Sequence, residues 1–239
     1  MGQRFEGVIL DLDDFREDDR FMTIYTKERG KIRVLIKSAK KITSKLAGFC
    51  QPFALLKITI APGQNFYHLV GAIIQKNWPT LKNDYEKIII ADKVLNIVDQ
   101  AVEAEKGDKK IFQLIVKFLE ALSQIDNSKN LFLKNAFLLK LASFLGYQPQ
   151  LKYCLKCHQK NIATPIYFNY QQGGLYCAKC QKLSGGNIEV SKSHLILLNQ
   201  LLYKKFEFWQ KRYITSDERQ MITKNIEPLL EKFIEWHIR

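Results

Sequence analysis

Two cysteine pairs constrain this chain more than any other feature. Cys154-Leu-Lys-Cys157 and Cys177-Ala-Lys-Cys180 are separated by nineteen residues. Read alone, "CLKCH" fits covalent haem attachment and its C-x-x-C core fits a thiol–disulfide pair. Haem attachment belongs to exported proteins, and a redox pair wants a helix N-terminus beside a βαβ pattern. Neither reading employs the second pair. Two knuckles at this spacing, within the usual range of about 15–20 residues, predict one zinc ion in a closed tetrahedron of four thiolates, from Cys154, Cys157, Cys177 and Cys180. A closed site leaves no position for a substrate water, so the metal is expected to be structural. Gly173-Gly174 precede the second knuckle, where the backbone must reverse. His158 adjoins Cys157 too closely to replace a thiolate comfortably, and Cys50 in "LAGFCQPF" reads as a small buried hydrophobe.

Around that ribbon the hydrophobic period changes twice. From Arg4 to about Trp78 the runs "RFEGVILDL", "RFMTIYT", "KIRVLIKSA", "FALLKITI" and "YHLVGAIIQ" read as strands. "KERGK" places Gly30 where a hairpin needs a positive φ, and "APGQN" is a second turn. The long link before Pro52, between the third and fourth runs, suits a Greek-key barrel of the OB type; a simple antiparallel meander is the alternative. Residues 83–147 then repeat apolar positions at three- and four-residue intervals, predicting three helices that end at Gly146 and Pro149. "SKSHLILLNQLLYKKFEFW" and "DERQMITKNIEPLLEKFIEWH" predict two more. The expected fold class is α+β multidomain. Its parts are an OB-type barrel at 1–80, a helical domain at 81–150, an inserted four-cysteine zinc ribbon at 151–184, and C-terminal helices at 185–239 packing with the helical domain.

The formal net charge of +13 favours polyanionic partners, nucleic acid before anionic membrane. Eight Lys or Arg stand between Lys27 and Lys45 against one acid, Glu28. From Asn127 to Ile188 there are eight lysines and no Asp or Glu. Solvated faces mix both signs, so an acid-free stretch suggests a surface meant for phosphates. The N-terminus shows no leader and no run is long enough to span a bilayer, so a cytoplasmic, nucleoid-associated protein with no membrane partner is expected.

"GVILDLDDFREDD" resembles the strand ending in D-x-D that opens haloacid dehalogenase-like phosphatases, where Mg²⁺ joins the carboxylates. In that pattern Gly-Thr follows the second Asp; here Asp14-Phe15 follows Asp13, and strand follows strand with no helical crossover. The alternative is an acidic hairpin loop joining the first two strands.

Barrel, helical middle, four-cysteine ribbon and helical tail, in that order, resemble the bacterial DNA repair protein RecO family over nearly the whole chain. The resemblance rests on the "GVIL" strand, "YTKERGKIRVLIKSAKK", "LAGFCQPFALLKITI", "LLKLASFLGYQPQLKYCLKCH" and "GGLYCAKC". It implies a recombination mediator without covalent chemistry. Such proteins bind single- and double-stranded DNA, anneal complementary strands and act with RecR to load RecA onto strands coated by single-strand-binding protein. On the barrel, Arg29, Lys31, Arg33, Lys37, Lys40, Lys41 and Lys45 are expected to contact phosphates, and Tyr25, Phe66 and Tyr67 either stack bases or belong to the core. Lys152, Lys156, Lys179 and Lys182 would extend the track. The resemblance also implies a groove for the acidic, apolar-ended tail of single-strand-binding protein, at Leu197, Leu198, Leu201, Leu202, Lys204 and Lys205, unless those leucines are packing core. Two other classes stay open: an Mg-dependent phosphoesterase or nuclease using the Asp11–Asp19 cluster, and a zinc-containing RNA-binding factor.

Overall fold

A computed structural model describes residues 2–41, 43–181 and 185–238. The chain divides into two compact units, 1–124 and 125–239. In the first, five strands close a barrel: β1 (Gln3–Phe15), β2 (Asp19–Thr26), β3 (Gly30–Ile36), β4 (Ala54–Pro62) and β5 (Tyr67–Asn77). Their order is β1-β2-β3-β5-β4, with β4 returning to β1 and only β3–β5 parallel. The long link at 37–53 carries the chain from β3 across to β4, so that β5 returns between them and pairs parallel with β3. Ile9, Met22, Ile24, Val34, Ile36, Leu56, Ile58 and Ile60 fill the interior.

Two local features shape this barrel. Between Ile9 and Asp11 the register against β2 slips by one residue, so Val8, Ile9 and Leu10 are all buried in succession. Beyond the bulge β1 does not stop at the acids. Asp13 pairs with Phe21 and Asp14 with Arg20, whose Nε donates to Asp14 at 2.9 Å. Opposite charges facing across two strands keep the aspartates within the ladder, and the expected acidic loop shrinks to Arg16–Asp18. Gly30, at φ 72°, ends the β2–β3 turn, and a Cβ there would lie 2.3 Å from the Lys106 carbonyl oxygen.

Three helices fold with the barrel: α1 (Pro79–Lys82), α2 (Tyr85–Ala101) and α3 (Lys109–Gln124). Asp84 caps α2 by accepting from the Lys87 amide. Trp78 is buried, its indole N–H donating to Glu120 at 3.1 Å.

The second unit is built on α4 (Asn130–Phe144), which is buried without interruption from Phe132 to Leu139. A helix buried on every side, even at Lys134 and Asn135, must be central. The three middle helices thus fall two in the first unit and one in the second. After Gly146, at φ 95°, come β6 (Gln150–Cys154), β7 (Ile166–Asn169), β8 (Gly174–Cys177) and β9 (Asn187–Val190), in the order β6-β8-β7-β9. Then follow α5 (Lys192–Tyr203), α6 (Phe206–Lys211), α7 (Ser216–Met221), a π turn (Ile222–Ile226) and α8 (Glu227–Ile238). The run expected as one helix from Ser191 to Trp209 breaks at Lys204, where the backbone is extended. Lys140 takes the carbonyls of Leu201 and Leu202 that a continuing helix would need. The π turn ends beside Pro228, which lacks the N–H that would bond the Lys224 carbonyl. The fold is therefore α+β multidomain: a closed five-stranded barrel, helices, and a second small sheet carrying the cysteines.

Candidate metal centre and nucleic-acid groove

The four cysteines come together as their spacing predicts. Their sulfurs all lie within 4.8 Å of one another, and Cys157 Sγ is 3.9 Å from Cys177 Sγ. A tetrathiolate tetrahedron with bonds of about 2.3 Å needs sulfurs about 3.8 Å apart, so the donor set fits a closed metal site. Each knuckle is a tight turn: His158 N–H donates to the Cys154 carbonyl at 2.9 Å, and Cys180 N–H to that of Cys177 at 3.0 Å. Gly174 lets Leu155 approach, since a Cβ there would meet its side chain at 2.9 Å. Burial opposes ionisation of Cys154, but the amides of Cys157, Cys177 and Lys156 outweigh it and bring the pKa down to about 6. Cys180, hydrogen-bonded to the neighbouring sulfurs, is pushed up to about 12. His158 is exposed at φ 57° and packs on Tyr153 instead of joining the cluster. Among the described residues this is the one group of three or more His, Cys, Asp or Glu that gathers its ligand atoms.

On the barrel, β3 and the β4–β5 turn border a cleft of about 740 Å³. Lys31, Arg33, Phe66 and Tyr67 line it together with Asp11, Asp13, Asp99 and Glu105. The bases here are paired. Arg29 donates to Glu105 at 2.6 Å and to the Tyr67 hydroxyl at 2.9 Å, with its guanidinium 5.3 Å from that ring. Lys31 reaches Asp99 at 3.3 Å, and Arg33 reaches Asp13 at 3.1 Å while lying 4.2 Å from the Phe21 ring centre. Lys40 pairs with Asp14 and Lys41 with Asp18. Lys37 and Lys45 are exposed with no ion pair among the described residues. Burial first, with repulsion from Asp13 and Asp99, raises the Asp11 pKa against an opposing Leu12 amide. Hydrogen bonds from Lys40 and Arg20 lower that of Asp14. Of the three candidate stacking rings, Tyr25 is fully buried and exchanges hydrogen bonds with Asp108, whereas Phe66 is exposed and Tyr67 half-buried.

The acid-free stretch separates into two kinds of lysine. Lys134 is buried in an ion pair with Glu227, Lys129 donates to the Gln210 carbonyl, and Lys140 caps α5. Lys152, Lys156 and Lys179 are exposed on the ribbon; Lys182 lies outside the described residues. Leu197, Leu198, Leu201 and Leu202 are all buried, so they offer no surface groove. Their helix turns that face inward, and only Lys204 and Lys205 remain exposed. Beside them Lys205, Glu207, Phe208 and Lys211 border a shallow depression.

Sequence reasoning missed the compensating acids. Asp99 and Glu105 belong to the end of α2 and its connector, far along the chain from the bases they neutralise. The Glu105 N–H donates to the Lys31 carbonyl at 2.9 Å, so the connector lies along β3. The signal available was Gly30 with Gly107, whose backbones pack against each other.

Family comparison agrees with this architecture. The model "Recombination protein O N terminal" matches residues 1–77, and "Recombination protein O C terminal" matches 82–239. The DNA repair protein RecO of Caldanaerobacter subterraneus subsp. tengcongensis is 24% identical over 98% of this chain and 92% of its own length. That of Pelotomaculum thermopropionicum is 29% identical over 82% of this chain and 75% of its own length. That of Dehalococcoides mccartyi is 28% identical over 90% and 86%. With both halves matched in order along the barrel and the cysteine-bearing unit, the chain belongs to the RecO family of DNA repair proteins.

Proposed function

We propose that this chain is a recombination mediator acting in the cytoplasm at the nucleoid. It binds single- and double-stranded DNA, anneals complementary strands and, with RecR, helps load RecA on strands coated by single-strand-binding protein. The observation that carries the DNA reading is the barrel cleft. In OB folds the β2–β3 face and the β4–β5 loop form the strand-binding groove, and here they present Lys31, Arg33, Phe66 and Tyr67. The ion pairs do not argue against this. Exposed pairs are worth about 0–1 kcal/mol each, so a phosphate can replace Asp13 or Glu105 at little cost.

Annealing requires only that two backbones be neutralised and held together, so no general base is invoked. The carboxylates near the β1–β2 turn are engaged otherwise, Asp14 with Arg20 and Lys40, Asp18 with Lys41 and Asp19 with the Ser38 amide. The four-cysteine centre would hold one structural zinc ion, supplying a cross-link between knuckles and no reactive position. For the tail of single-strand-binding protein, the exposed Lys204 and Lys205 beside Phe208 are the surviving part of the expected groove.

Labelled complementary oligonucleotides test the proposal, mixed with the protein before and after coating by single-strand-binding protein. Annealing in both cases without divalent metal is expected. No annealing would overturn the proposal, and divalent-dependent cleavage abolished by Asp11→Ala would replace it with the phosphoesterase reading.

A further inference from the structure

The second unit carries a row of rings that the barrel reading does not use. Tyr147, just after α4, lies 5.1 Å from His237 between ring centres. His237 Nε2 sits 3.0 Å from the Tyr170 carbonyl oxygen, and the Tyr170 ring meets Trp236 edge-on at 6.4 Å. The row is held from beneath by buried Phe233, 4.7 Å from His237 and 5.9 Å from Phe168. Yet Trp236 is 56% exposed and Tyr147 45%. Large rings fixed in place and left in water mark an interaction surface.

The charge beside them indicates the partner. Lys232, one turn before Trp236 on α8, places its ammonium 5.9 Å from the Tyr170 ring centre. It also lines a cleft of about 210 Å³ with Lys224, His194 and Asn225, where Glu189 is the one carboxylate. Glu231 and Glu235 share α8 with it. The unit as a whole holds seventeen Lys and Arg against eight acids.

We infer that this face binds single-stranded nucleic acid, with bases stacking on Trp236 and Tyr147 and a phosphate held by Lys232 and Lys224 in the adjoining cleft. The inference deepens the DNA-binding reading and rests on it. A polyanion satisfies the lysines, and unpaired bases supply the flat faces that fixed rings accept. A duplex hides those faces. An acidic peptide satisfies the lysines but brings no series of planar groups.

Intrinsic fluorescence of the full chain tests this, because Trp78 and Trp209 are buried and Trp236 is the exposed indole. A thymidine oligonucleotide is expected to quench the signal, and a duplex of equal length to quench it far less. Trp236→Ala and Tyr147→Ala should each weaken single-strand binding about five- to 150-fold, the equivalent of ~1–3 kcal/mol per stacked base, and leave duplex binding unchanged. Trp236→Phe should restore most of the affinity without the signal, which separates stacking from a folding defect. Unquenched fluorescence with unchanged affinity in both alanine variants overturns the inference while the barrel reading stands. A wild-type chain that binds no DNA overturns both. Quenching by an aspartate-rich peptide ending in Phe, where the oligonucleotide gives none, makes this a protein-docking face and also overturns it.

Discussion

Lys140 shows what a single position conceals from the sequence. It belongs to an acid-free, lysine-bearing stretch that reads as a surface for phosphates, but its ammonium is turned inward to the Leu201 and Leu202 carbonyls. Burial lowers its pKa from 10.5 to about 8. Between pH 8 and 10.5 the unfolded chain therefore holds a proton that the folded chain has released. The cost of a charged, buried lysine is present in full below about pH 8 and is recovered as pH rises towards 10.5. Urea unfolding across that window should show wild-type stability rising relative to Lys140→Met, on the order of 1 kcal/mol per pH unit. Parallel curves would mean that the carbonyls fully compensate the burial. Lys134 makes the same point without titration. With the Lys134 side chain 3% exposed and that of Glu227 17% exposed, Lys134→Ala should cost up to about 3 kcal/mol by leaving a half-buried carboxylate without its counter-charge. Neither lysine can be told from Lys152 by local sequence, because the partners lie far along the chain.

At the scale of elements the text was far more legible. Five runs of β-branched and aromatic residues become five strands, and the cysteine spacing becomes a cluster with the sulfur separations of a metal site. These signals are local, set by side-chain period and turn chemistry. The connector that lies along β3 was not legible, because it has no period and is placed by what it packs against. Gly30 ties it down, combining φ 72° with a Lys106 carbonyl where a Cβ would sit. Gly30→Ala should cost at least ~1–2 kcal/mol for the left-handed backbone alone, plus the clash that lifts the connector from β3. Gly71→Ala is the control. It lies in β5 with nothing within 4 Å of a Cβ, so its urea midpoint should stay or rise. The ribbon answers to a different perturbation. If the proposed metal is bound, Cys177→Ser or a strong chelator should abolish its binding and lower the unfolding midpoint of the second unit, leaving the barrel transition in place. Retained metal in the serine variant would show that three thiolates suffice.

For the whole molecule, a net charge of +13 suggests one basic protein, but the two units share it unequally. Residues 1–124 hold twenty Lys and Arg against sixteen acids, and the remainder seventeen against eight. The barrel, whose bases between Lys27 and Lys45 are expected to contact phosphates, has most of those charges matched by Asp13, Asp14, Asp18, Asp99 and Glu105. Counterion release distinguishes matched from unmatched bases. On single strands each phosphate neutralised contributes about 0.7 to the slope of log affinity against log salt. Lys152, Lys156 and Lys179 have no ion pair among the described residues, so changing all three to Gln should flatten that slope by about 2. Lys40→Gln with Lys41→Gln should flatten it by well under the ~1.4 expected of two free lysines, because Asp14 and Asp18 already displace their counterions. The same pair of substitutions made together with Asp14→Asn and Asp18→Asn should leave the slope near wild type, since the local net charge is then unchanged. If instead the barrel pair alone flattens the slope by its full share and the ribbon triple does nothing, phosphates displace Asp14 and Asp18 on binding and the ribbon lies off the phosphate track. Salt titrations of the three variants against one oligonucleotide separate these outcomes.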